Sequence, residues 1–140
     1  MNNFTGKYRA IVTAVNDPQS LGRVKARCPS ISKEFVTAWA TPCFPYVGDF
    51  YLPSVGEPVW LEFEQGDLSK PVWSGSWKPS GAAGDGSTRV ITYAGTTITM
   101  KSGSITLSAG GATLRVENGK VFANGVDIED LDKRLKRLGG

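Results

Sequence analysis

Residues 52–67 read LPSVGEPVWLEFEQGD, and this stretch decides the class of the fold. Val59, Leu61 and Phe63 alternate with Trp60, Glu62 and Glu64. A period of two puts each set on one face of a β-strand, apolar in and polar out. Gln65-Gly66-Asp67 then turns the chain. The same grammar recurs on both sides. Residues 16–29 read NDPQSLGRVKARCP, which predicts a strand over 8–16, a turn at DPQSLG and a strand over 23–27. In the second strand Arg23, Lys25 and Arg27 alternate with Val24 and Ala26, so three cations share one face. A third strand is predicted over 36–40, leading into AWATPCFPY at residues 38–46. Residues 70–77, KPVWSGSW, hold a last strand over 71–77.

Five strands in about 75 residues suit a small Greek-key barrel of the OB type. These four stretches, taken in order, resemble the OB-fold domain of contractile-tail spikes. That family includes the phage baseplate central spike and the N-terminal part of the type VI secretion tip protein. The resemblance covers residues 1–79, just over half of the chain. It implies a homotrimer whose C-terminal parts intertwine into a rigid needle. It also implies OB domains seated against the hub or tube of the baseplate. Arg23, Lys25, Arg27, Glu62 and Glu64 are then the candidate hub contacts.

Beyond the barrel the texture changes. Residues 80–87 read SGAAGDGS, too small and polar to pack, and predict a linker over 80–88. Over 89–128, turn signals recur at Gly95, Ser102-Gly103, Gly110-Gly111, Asn118-Gly119 and Asn124-Gly125. The short strands between them alternate Ile91 and Tyr93, Ile98 and Met100, Ile105 and Leu107, Leu114 and Val116 with Thr, Ser, Lys and Arg. Some 40 residues in very short strands bury too little surface to stand alone. Stacking on further copies solves this, as a three-chain β-prism or β-helix with those apolar residues on the shared axis.

The end, DIEDLDKRLKRLGG, predicts a short amphipathic helix over 129–140, capped at Asp127. Ile128, Leu131, Leu135 and Leu138 repeat at spacings of three and four, the seam of a coiled coil. Such a short helix is marginal alone, so Leu131, Leu135 and Leu138 are expected on the trimer axis or against a separate tip protein.

Composition narrows the function. Hydrophobic content is 40% and charged content 21%, the mix of a folded chain. The net charge of +3 is spread evenly, without a basic tail to argue for nucleic acid. No apolar run approaches the length of a membrane span. The N-terminus, MNNFTGKYRAIV, does not read as a signal peptide, so folding in a cytoplasm is expected. There is no histidine, which removes His-based triads and most transition-metal sites. In the resembling spikes an iron ion at the apex is held by His-x-His motifs, so no such apex is expected here. Cys28 and Cys43 are either a disulfide within the barrel or, the favoured reading, two reduced thiols.

Two rival functions remain. Glu62 and Glu64 could serve as an acid–base pair, but a solvated strand face explains them as well. Some of the resembling spikes carry a lysozyme domain between barrel and needle; here only the linker stands there. No enzyme activity, cofactor or metal is therefore expected. The other rival is an OB-fold module for single-stranded nucleic acid, using Arg23, Lys25 and Arg27 beside aromatic side chains. The leading expectation is a structural homotrimeric spike in a virion baseplate or injection particle, piercing a target cell envelope.

Overall fold

The computed structural model describes residues 3–78 and 86–139. It is mainly β and divides into two compact units, residues 1–82 and 83–140. The linker expected over 80–88 falls mostly outside the described residues.

The first unit holds β1 (Tyr8–Ala14), β2 (Lys25–Arg27), β3 (Thr41–Pro42), β4 (Pro58–Phe63) and β5 (Pro71–Ser74). They form one curled sheet in the order β2-β1-β4-β5-β3. All neighbours are antiparallel except β3 and β5. Isolated bridges at Val24–Ala40 and Arg27–Val36 tie the segment before β3 back to β2. These two bridges curl the sheet into a half-barrel.

The alternation read from residues 59–63 holds. Val59, Leu61 and Phe63 are buried, together with Ala10, Val12, Val24, Ala26, Cys28, Ala40 and Trp73. Full burial of a Leu- or Phe-sized side chain is worth about 1.5–3 kcal/mol. The Trp73 indole N–H donates to the Gly22 carbonyl at 3.1 Å, so the largest core side chain buries no unsatisfied donor.

Strand boundaries differ from the reading of the sequence. β1 ends at Ala14 and not at 16, β2 starts at Lys25 and not at 23, and β5 ends at Ser74 and not at 77. Two further differences have a visible cause. The third strand is not continuous over 36–40, because Thr37 interrupts it. Its side-chain oxygen accepts the Ala26 N–H at 3.1 Å, while its own N–H donates to the Ala26 carbonyl at 2.9 Å. A side chain thus replaces one ladder acceptor, and regular pairing resumes only at Thr41–Pro42. The fourth strand ends at Phe63, since Gln65 and Gly66 take φ of 55° and 75° and Glu64 opens a tight 3-10 turn. Glu62 and Glu64 consequently do not share a strand face.

The second unit is a six-stranded antiparallel meander followed by one helix. Its strands are β6 (Arg89–Tyr93), β7 (Thr96–Lys101), β8 (Ser104–Ala109), β9 (Ala112–Glu117), β10 (Lys120–Ala123) and β11 (Val126–Asp127). The turns at Asn118-Gly119 and Asn124-Gly125 have φ of 50° and 73°, and of 48° and 82°. Positive φ at both central residues is the type I′ hairpin, whose twist matches that of the flanking strands. These turns lock the register to Glu117↔Lys120 and Ala123↔Val126. Helix α1 (Ile128–Leu138) starts one residue earlier than the expected 129–140.

Candidate functional site

Register determines what each face of the meander carries. Ile91, Ile98, Leu107, Leu114 and Ala123 stand opposite one another from β6 to β10. Met100, Ile105, Val116 and Val121 form a second row two residues away on the same face. The eight apolar residues singled out from the sequence, Ile91, Ile98, Met100, Ile105, Leu107, Leu114 and Val116 with Tyr93, are thus brought together on one face. The other face is mostly polar, with Thr97, Thr99, Lys101, Ser104, Thr106, Ser108, Arg115 and Glu117. It also carries Val90 and Phe122, the latter under the Arg115 guanidinium at 4.4 Å.

On β8 and β9 exposure is inverted: Ile105, Leu107, Leu114 and Val116 are 39–44% exposed, whereas Ser104, Thr106, Ser108, Arg115 and Glu117 are half-buried. On β7 Ile98 and Met100 are half-buried, as are Thr97 and Thr99 on the other face. In a folded domain the apolar set is normally the shielded one. Here one chain provides nothing to cover it among the described residues.

Helix α1 continues this surface. The Asp127 carboxylate accepts from the backbone N–H of Glu129 and Asp130 at 3.0 and 3.2 Å, and its other oxygen accepts from Lys120 Nζ at 2.7 Å. Lys120 and those helix N–H groups hold the Asp127 carboxyl below its usual range. The pairs Glu129–Lys133, Asp130–Arg134 and Asp132–Lys136 lie along the polar side of the helix. Leu131, Leu135 and Leu138 form the opposite stripe, with exposure rising from 41% at Leu131 to 84% at Leu138. No helix residue is buried.

On the barrel the five candidate hub contacts part company. Arg23 is engaged within the β1–β2 turn: its Nε and Nη2 donate to the Asp17 carboxylate at 3.0 and 2.7 Å. Asp17 also accepts the backbone N–H of Gln19, Leu21 and Arg23. The Arg23 guanidinium, helped by those N–H groups, holds the Asp17 carboxyl far below the usual carboxylate range. Glu62 pairs with Lys7 on the surface. Glu64 stands apart in its turn. Lys25 lies over the Trp39 ring at 5.1 Å, and Arg27 is exposed. Arg9 lies over both Trp60 and Trp77, at 5.8 and 5.1 Å. Cys28 is buried and Cys43 exposed, and both are free thiols.

Sequence reasoning missed one surface. Phe44 packs edge-to-face on Trp73, Tyr51 and Phe50, and Phe50 covers Gly22 so closely that a Cβ there would lie 2.6 Å from the ring. On this rigid base Leu21, Tyr46, Val47, Phe50 and Val55 are exposed. Residues 44–57 carry two acids and no base. The signal was present as FPYVGDFYLPSV, an apolar loop without strand alternation, but aromatic residues in a small barrel read first as core.

No group of three or more His, Cys, Asp or Glu side chains among the described residues is placed to hold a metal ion. No described helix is long and apolar enough to cross a membrane. Among curated proteins none matches the chain. The family described as type VI secretion system/phage-baseplate injector OB domain matches residues 8–77, half of the chain and the whole of the five-stranded sheet. With the strand order found here, that match shows that the chain belongs to the type VI secretion system/phage-baseplate injector OB domain family.

Proposed function

We propose that three copies of this chain form the central spike of a contractile tail or injection-system baseplate. The barrels join the hub or tube, and the second units form the needle that meets the target cell envelope. The observation that carries this reading is the inverted exposure of β8 and β9 in the middle of the meander. Three sheets facing inward would cover Ile98, Ile105, Leu107, Leu114 and Val116, with a gain on the order of 1 kcal/mol for each half-exposed side chain. The polar face would then meet water. Family membership supports a place in a virion or injection particle. The work is mechanical: sheath contraction supplies force, and a shared interchain core resists buckling. No residue is assigned a catalytic or cofactor role.

The exposed Leu21–Tyr46–Val47–Phe50 patch fits the hub better than Arg23, Glu62 and Glu64 do. It is apolar and stands on the packed rings of Phe44, Phe50, Tyr51 and Trp73, the character of an interface centre. Lys25 and Arg27 remain candidates as well.

A single-stranded nucleic-acid function is less well supported. Base stacking needs open aromatic faces. Trp39, Trp60 and Trp77 each already carry a cation of the chain on the ring.

The deciding measurement is the mass of the purified protein in solution. A particle of three times the 15.0 kDa of one chain is expected. A monomer would refute the spike.

A further inference from the structure

A needle built of three sheets has a structural problem at its far end. Its apolar interior is open there, and stacked repeat structures need an end cap with a polar outer surface. The last interior layer contributed by each sheet is Ala123 paired with Val126. Helix α1 begins immediately after it, at Ile128.

The polar and apolar sides at this junction are sorted by one carboxylate. Lys120 and Asp127 lie on the polar face of the meander, and Asp127 caps the helix there. Val126 and Ile128, the neighbours of Asp127 in the chain, are both apolar and exposed. In extended backbone alternate side chains share a face, so Ile128 starts on the side of Val126. From Ile128 the stripe runs to Leu131, Leu135 and Leu138 without a charged residue on it. The apolar surface of the sheet therefore passes into that of the helix without a break.

We infer that the three C-terminal helices turn inward as a short parallel bundle and plug the open end of the needle. The chain thereby caps itself, and the occupants of the helix stripe are the two other copies. This rests on the trimeric reading above. An 11-residue helix is marginal in isolation. Tethering three of them at the end of one shared sheet core gives each a high effective concentration of its partners. The three i,i+4 ion pairs lie outside such a bundle, where they stabilise the helix and face water.

The test uses the full chain with Cys43→Ser, which removes the exposed native thiol. Leu135→Cys and, separately, Lys133→Cys are oxidised mildly at native concentration. With Leu135 on the axis, two of three chains should crosslink, giving dimer and monomer in about a two-to-one ratio of chains. Lys133→Cys, on the outer side, should give little dimer. A three-chain particle with no crosslink at 135, or with equal crosslinking at both positions, overturns the plug and leaves the trimer standing. A one-chain particle overturns the trimer itself. As a second measurement, Leu131→Asp with Leu135→Asp should keep the three-chain mass but bind an apolar dye several-fold more strongly, through the uncovered end. Unchanged dye binding by an intact trimer would also overturn the plug.

Discussion

Asp17 holds the β1–β2 turn through five contacts, and that turn sets Gly22 under Phe50 and over Trp73. Its folded pKa is depressed, chiefly by Arg23. The unfolded chain therefore takes up the proton more readily, so acid favours unfolding. The contribution of Asp17 is fully present above the ordinary carboxylate value of about 3.9 and is lost as pH falls through the folded value. Thermal melts should be level from neutral pH to about 5 and fall steeply below about 4. Asp17→Asn should lower the melting temperature at neutral pH and flatten that acid limb. A limb of unchanged steepness would remove Asp17 as its cause. The same turn decides how the basic strand is tested at the hub. Reversing Arg23 would break the turn, so Lys25→Glu with Arg27→Glu is the informative variant. It should impair incorporation into particles while leaving the oligomer intact, and normal incorporation would clear both residues. Core substitutions follow cavity energetics: Leu61→Ala should cost about 2–5 kcal/mol. Tryptophan fluorescence measures it cleanly, since all four tryptophans lie in the first unit.

Among elements, β8 and β9 matter most, because they sit mid-sheet and carry Ile105, Leu107, Leu114 and Val116 on one face. In the proposed trimer Ile105→Asp or Leu107→Asp would bring a charge into the shared core, where it has no partner. Either should convert the oligomer to monomer, read by sedimentation; an unperturbed trimer would place that face outside the interface. The hairpins supply register independently of assembly. Gly119→Val puts a β-branched residue at φ 73° and should cost about 1–3 kcal/mol. A melt unchanged by Gly119→Val would mean that the I′ turn is not needed to align β9 with β10.

For the whole molecule, association and folding of the second unit are expected to be one event. In the proposed trimer the interlocked core would unfold over a high barrier, which would make its stability kinetic. An unboiled SDS gel should show a band of three chains, and a monomer band would contradict this. Truncation after Lys78 should leave a soluble barrel of weaker or lost association, because the ten core residues Ala10, Val12, Val24, Ala26, Cys28, Ala40, Val59, Leu61, Phe63 and Trp73 all lie before that point. A fragment as tightly trimeric as the full chain would move the interface to the barrel.

Period-two alternation and turn chemistry determined a great deal without help. They placed Val59, Leu61 and Phe63 in the core and one apolar set on each needle strand, and the NG turns marked the hairpins. Asp127 was legible as a cap because a helix start needs a side-chain acceptor for its first N–H groups. All of these are local effects, carried by residues a few positions apart. Other features needed the tertiary structure. Thr37 breaks the third strand by bonding to a residue eleven positions away, and Arg23 is drawn from the surface by Asp17 across a turn. Trp73 anchors the loop that exposes Tyr46 and Val47 through rings far apart in the chain. Such contacts depend on which strands become neighbours, and alternation along one strand says which side is buried but not what lies against it.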